Sequence, residues 1–352
     1  MAAEAVIVGY GCILPQGQGR AGLDRVLAGE MAATVWSENP RLMVGRVAAD
    51  LVEERPGEDR SVALALHVAE LALADAGELG VEGERFACLF TVSKGGLGSI
   101  GHLVSGTAGD WFAAIDPAAA ARAVAGRFAL RGAALAPVSA CSSGGHLLAA
   151  ARAMIVSGRA EAVLCGAADA SLLPIVLASY DRLGLLSHTG QDKNGGGFFV
   201  GEGAAAFVVT SVEWAKKRGL PIVARLAGSA AGSQAMSLVN LPTDGVDLAQ
   251  VCELALGRSG VRPEEVDVVM VHGTATRVGD RNEAAALERV FGRDNLPAVV
   301  GTKWLHGHLL GASSAAETAV LLRGMESGCG WRVGLKISAG FGGHISANVL
   351  VR

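Results

Sequence analysis

LAPVSACSSGGHLLAAARAMIV, residues 135–156, sets the architecture. A mostly apolar run, 135–139, leads directly into a Ser/Gly turn, and a small-residue helix is predicted over 143–156. A strand feeding straight into a helix is the building unit of α/β proteins. On either side the same alternation continues. Strands are predicted at 5–10, 86–92, 162–166, 204–210, 266–271, 333–337 and 346–351, and helices at 59–76, 246–258, 282–291 and 312–325. The strand segments lack strict polar alternation, which fits strands covered by helices on both faces. Gly77 is a natural cap for the helix ending at residue 76. No Pro/Ser-rich linker divides the chain. Residues 189–197 (TGQDKNGGG) read as a loop, and 213–219 (EWAKKRG) as an exposed helix end.

Composition narrows the functional classes. Of the 352 residues 51% are hydrophobic and 18% charged, the latter below the roughly 25% of an average soluble domain. A large core or a buried interface follows. A net charge of -4 and a pI near 6.1 lack the basic stripe of a nucleic-acid binder. Arg or Asp interrupts each long apolar stretch, so no membrane span is expected. With no CxxC pair and no basic, apolar leader, the six cysteines are expected to be reduced thiols of a cytoplasmic protein.

Four places could carry chemistry. Cys141 stands at a strand-to-helix turn, where a helix N-terminus favours a thiolate. The alternative is a buried Cys filling a gap, the reading given to Cys88 and Cys165. His272 is delivered by an apolar strand into the polar loop HGTATRVGD. Lys303, His306 and His308 precede a small-residue helix in GTKWLHGHLLGASSAAE. The two histidines at i and i+2 lack a neighbouring carboxylate or Cys at ligand spacing, so no metal is expected. A neutral His at a helix start suits hydrogen-bond donation to an oxyanion. Finally, SAGFGGHIS (338–346) offers backbone N–H groups to an anion and an aromatic ring, Phe341, that could gate a pocket. Neither GxxxxGK[ST] nor a strand-turn-helix GxGxxG is present, which disfavours nucleotide chemistry. VSACSSGGH and ISAGFGGH share a strand–Ser-Ala–Gly design that suggests two similar halves.

Together these segments resemble the β-ketoacyl synthases (ketosynthases) of fatty-acid and polyketide biosynthesis, members of the thiolase-fold superfamily. SACSSGGH matches the nucleophile motif at Cys141, and GEGAAAFVV, from Gly201, matches the family's GEGA segment. HGTATRVGD resembles HGTxTxxGD, placing one catalytic His at His272. KWLHGHLLGA resembles KxxxGHxxGA, giving Lys303 and the second His at His308, with Glu317 as the helix glutamate. GFGG carries over to Gly340, Phe341, Gly342 and Gly343. The Cys-His-His set is that of the elongating type. Two positions depart from the family: Ile345 stands where Asn is usual and Ala339 where Phe is usual. The segments before Cys141 and after Glu317 are shorter than usual.

The resemblance implies an α/β thiolase-like fold of two similar βαβαβαββ halves in five α-β-α-β-α layers, residues 1–210 carrying the Cys and 211–352 the histidines. It implies decarboxylative condensation of a Cys141-bound acyl group with a malonyl thioester. Cys141 and Phe341 N–H groups would form the oxyanion hole, with Phe341 and Gly342 gating; Thr274 and Thr276 would bind substrate; Lys303 and Glu317 would support the histidines. No cofactor is implied. The partners implied are an acyl carrier protein bearing phosphopantetheine-bound groups and a second copy of the chain, or a second ketosynthase-like chain in a heterodimer. Two rivals share the motifs: a non-condensing, chain-length-factor-like subunit, and a Cys-dependent acyltransferase. Lys216, Lys217 and Arg218 form the densest basic cluster, read as a solvated helix end rather than a docking patch.

Overall fold

The computed structural model describes residues 4–352 except 56, 108–110, 189–195, 235 and 238–241. The predicted loop 189–197 therefore lies mostly outside the described residues. One set of strands comprises β1 (Ala5–Leu14), β2 (Phe86–Val92), β3 (Ala134–Leu135), β4 (Ala162–Asp169) and β5 (Gly203–Ser211). Its spatial order is β3-β2-β4-β5-β1. A second set comprises β6 (Ala224–Ser233), β7 (Val268–Met270), β8 (Ala298–Val300), β9 (Val333–Gly340) and β10 (His344–Val351), in the order β8-β7-β9-β10-β6.

Counted within its own set, each order runs third, second, fourth, fifth, first. The pairing directions also agree. In each set the first three strands are parallel and the last two joins antiparallel. The chain follows one path twice, but the two Ser-Ala–Gly segments that suggested it are not equivalent: the first lies between the third and fourth strands of its set, the second joins the fourth to the fifth. The sets meet where β1 pairs antiparallel with β6 at Val6–Arg225 and Ile7–Ala224.

Helices complete five layers. α1 (Arg60–Ala76) and α2 (Ala119–Arg127) cover the outer face of the first set. α4 (Val246–Ser259) and α5 (Arg277–Phe291) cover the second set. Between the sheets lie α3 (Ser143–Val156) and α6 (Ser313–Glu326), whose apolar residues share one core with both. Within α6 only Arg323 and Glu326 escape full burial. A helix enclosed on all sides must be apolar or small all round, which explains SSAAETAVLL. Small residues also set the helix spacing: a Cβ on Gly144 would come within 2.3 Å of the Ala315 backbone nitrogen.

Several boundaries differ from expectation. The strand predicted over 135–139 stops at Leu135. Pro137 has no N–H to pair, and the Ser139 N–H donates to Ser143 Oγ at 2.9 Å instead. α5 begins at Arg277 rather than 282, because Gly279 within its first turn masks the helical pattern. Asp59 lies just outside α1 and caps it, accepting from the Ser61 N–H at 2.9 Å. The basic residues 216–218 do end an exposed helix, closed by Gly219 in the left-handed region. Among the described residues no helix is long and apolar enough to cross a membrane, and all six cysteines are free thiols.

Candidate active site

Cys141 lies in a 3-10 turn, Ala140–Ser142, that opens into α3. Ala140 has φ +48°, a left-handed conformation that costs an L-residue about 1 kcal/mol. That bend turns the chain sharply from the edge strand into the buried helix. The end of β9 runs close by: a Cβ on Gly340 would lie 2.8 Å from the Ser139 oxygen and 3.1 Å from the Cys141 nitrogen. Only glycine lets the strand leading to Phe341 approach the Cys141 turn this closely.

A cavity of about 370 Å³ opens above this turn, within the usual range for small-molecule sites. Cys141, His272, His308, Thr274, Thr276 and Phe341 all line it. The imidazoles of His272 and His308 meet edge to face with centroids 5.4 Å apart. Phe198 packs against His308 at 4.7 Å, and Tyr180 stacks on Phe341 at 6.2 Å. The hydroxyls of Thr274 and Thr276 are 2.9 Å apart. Ala339 also lines the cavity, where the family's bulkier Phe would narrow it; Ile345 faces away into the outer core.

Each histidine is fixed by its backbone and its Nδ1. The Phe199 carbonyl accepts from the His308 N–H at 2.7 Å, and the His308 carbonyl from the Gly201 N–H at 3.0 Å. The GEGA segment thereby holds His308 in register. The Leu310 N–H donates to His308 Nδ1 at 3.2 Å, and Ser313 Oγ lies 2.7 Å from the same atom. An N–H can only donate, so Nδ1 is unprotonated and the ring proton sits on Nε2. For His272, the Lys303 ammonium lies 3.4 Å from Nδ1, which imposes the same tautomer. Glu283 secures the backbone, accepting from the N–H groups of His272 at 2.5 Å and Gly273 at 2.7 Å.

Behind the rings lies a buried charge network. Lys303 Nζ donates to the His272 carbonyl and to Glu317 Oε1. The other carboxylate oxygen of Glu317 is 2.7 Å from Lys336 Nζ. Burial would raise the Glu317 pKa, but the two lysines hold it below the ordinary carboxylate value. Burial pushes the pKa of His272 well below the ordinary imidazole value, and Lys303 and His308 add to the effect. His308 is depressed by burial and then by Lys303 and Lys94. Both rings are neutral and present Nε2–H donors.

The expected thiolate at Cys141 is not what the environment favours. Burial pushes the thiol up to about 11, and the nearby cations Lys94 and Lys303 offset only part of that cost. Desolvation of a largely buried sulfur outweighs the short helical turn beside it. The i, i+2 histidine pair is also separated by the fold. His306 is buried outside the cavity, its Nδ1 2.7 Å from the Gly307 carbonyl and its Nε2 2.9 Å from Thr302 Oγ1.

Thus the fold brings together Cys141, His272, His308, Thr274, Thr276 and Phe341, with Lys303 and Glu317 directly behind. Gly342, at φ +81°, forms the turn after Phe341. Sequence reading missed Glu283, Phe198, Tyr180 and Lys336. A lysine inside the apolar run of β9 was the available signal for Lys336. Glu283 lies one turn beyond the polar loop, on a helix predicted to start only one residue earlier.

Comparisons with known proteins show the family and the fold. Residues 48–215 match the model of the β-ketoacyl synthase N-terminal domain, and residues 223–329 that of the C-terminal domain. Nodulation protein E of Rhizobium sp. (strain N33) is 34% identical over 60% of this chain and 53% of that protein, so the alignment spans about half of its length. Nodulation protein E of Rhizobium meliloti (strain 1021) is 33% identical over 77% of this chain and 70% of that protein. Among solved structures, a type II polyketide synthase acyl-carrier protein in complex with its ketosynthase bound to the hexaketide includes a chain of 24% identity. It superposes with a TM-score of 0.90, covering 100% of this chain and 99% of that one. The fold is thus the thiolase-like fold of the ketosynthases. The chain belongs to the β-ketoacyl synthase family.

Proposed function

We propose that the chain is an acyltransferase of the β-ketoacyl synthase type, catalysing decarboxylative Claisen condensation in fatty-acid or polyketide biosynthesis. The observation that carries this reading is the pair of neutral histidines sharing one cavity with Cys141. Two Nε2–H donors converge there, the arrangement an enolate oxygen requires.

Cys141 attacks an acyl thioester, its proton passes to the departing carrier sulfur, and the carrier leaves as its free thiol. The backbone N–H groups of Cys141 and Phe341 stabilise the tetrahedral oxyanion, and the Phe341–Gly342 turn gates entry. A malonyl thioester then occupies the cavity, positioned by Thr274 and Thr276. Its carboxylate–carbon bond breaks, CO2 leaves, and the electron pair passes to the enolate. His272 and His308 donate hydrogen bonds to the thioester oxygen as charge builds there. The enolate carbon attacks the acyl-Cys141 carbonyl, the carbon–sulfur bond breaks, and the Cys141 sulfur is released. Lys303 and Glu317 hold His272 throughout. The carbon nucleophile arises by decarboxylation, and each proposed step uses side chains and backbone already in place.

We also infer that residues 1–210 contribute the nucleophile and 211–352 the two histidines. The reacting groups are presented by an acyl carrier protein, and the working unit is a dimer. The experiment is intact-mass analysis of the protein and of Cys141→Ala against a panel of acyl carriers, followed by addition of carboxyl-labelled malonyl carrier. An adduct on Cys141, absent in the variant, with labelled CO2 and a β-ketoacyl product is the expected result. No adduct at all would indicate a non-condensing partner subunit. An adduct that transfers to another acceptor without CO2 release would indicate a different acyltransferase.

A further inference from the structure

Lys336 has no counterpart among the motifs and no contact with the cavity, yet its side chain is fully buried. It stands in β9 and reaches three segments at once. Its Nζ lies 2.7 Å from Glu317 on α6 and donates to the carbonyls of Ile337 at 2.6 Å, Val271 at 3.2 Å and Met270 at 3.4 Å. Val271 directly precedes His272, and β9 runs on to Phe341. Lys336 therefore ties together the strand carrying His272, the helix carrying Glu317 and the strand leading to Phe341.

Its charge is not needed to neutralise Glu317, because Lys303 already does so. Burying an ion costs several kcal/mol after relaxation, so a second buried ammonium on one carboxylate needs a compensating interaction. Here the surplus positive charge sits directly behind two neutral imidazoles whose Nε2–H groups face the cavity. That charge opposes protonation of either ring and favours negative charge arising on the cavity side.

We propose that Lys336 is a positioning residue for the enolate-forming half-reaction, fixing His272 and supplying the positive field behind the histidine pair, while acyl loading of Cys141 does not depend on it. The proposal rests on the condensation reading above. Groups facing Lys336 from the surrounding elements are Glu317, Lys303, Glu283, His272, His306 and His308. Burial and Lys303 lower its pKa to about 8 against the pull of Glu317, so its charge is lost as pH rises through that value.

The test separates the two half-reactions. Acyl loading of Cys141 is followed by intact mass, and CO2 release from carboxyl-labelled malonyl carrier is followed in a single turnover on pre-acylated protein. In Lys336→Met, loading is expected to stay within about twofold while CO2 release falls by roughly tenfold or more, the usual scale for a lost supporting contact. In the unmodified protein CO2 release declines above about pH 8 but loading does not, a measurement that holds even if the variant fails to fold. The decline should be absent from the variant's own profile. Unchanged CO2 release in Lys336→Met, equal losses in both half-reactions, or no alkaline decline in the unmodified protein overturns the proposal. If the unmodified protein loads acyl groups but releases no CO2, the condensation reading itself fails and this inference falls with it.

Discussion

Cys141 shows how burial can override a local signal. Its turn opens a helix, yet enclosure sets the thiol near 11. At neutral pH almost all of it is protonated, and each unit of rising pH increases the thiolate fraction about tenfold. Alkylation of Cys141 by iodoacetamide should therefore accelerate with a log slope near one from pH 7 to pH 9. A rate that levels off near pH 7 would mean that the helix start dominates after all. His272 was legible because an apolar strand delivers it into a polar, glycine-containing loop, and His308 because it stands at the start of a small-residue helix. Lys336 was not, because a single lysine in an apolar run shows neither its burial nor the Glu317 it meets from another element.

At the scale of elements, the two halves share a feature that residue identity hides. Ala140 and Leu310 both adopt positive φ, +48° and +46°, each as the first residue of the 3-10 turn that leads into α3 or α6. ACSSG and LGASS have few letters in common but bend alike. α3 and α6 then cross at small residues. Gly144→Ala would drive a methyl group into the backbone nitrogen of Ala315, where no side-chain rotation relieves the clash. Such overpacking is expected to cost about 1–3 kcal/mol, read as a lower midpoint in urea denaturation. An unchanged midpoint would show that the helices can part without penalty. The edge strand at 134–135 was overestimated from its apolar letters, since hydrophobicity alone does not reveal that Pro137 and the Ser143 hydroxyl end the ladder.

For the molecule as a whole, enclosing α3 and α6 between two sheets places several histidines out of water. His306 is depressed to about 4, and His272 and His308 also lie well below the ordinary value of 6.5. Between those values and 6.5 the unfolded chain binds protons that the folded chain refuses, so stability falls on acidification. From pH 7 to pH 5, His306 alone should remove about 2 kcal/mol. Thermal unfolding across that range should show a falling Tm, and His306→Gln should flatten part of the slope. A Tm independent of pH there would mean that the buried rings accept protons without penalty.

The amino-acid order by itself determined the alternation of strands and helices, the sequence of four motifs and hence the family resemblance, and the choice of Cys141, His272 and His308 as candidate site residues. These are local properties, carried by apolar periodicity and by glycines at turns. Only the tertiary structure decided that the thiol is enclosed, that both imidazoles carry their proton on Nε2, that His306 stands apart, and that two lysines share Glu317. Desolvation and Coulomb interactions depend on neighbours brought from distant parts of the chain, and those neighbours exist only once the two halves close around the central helices.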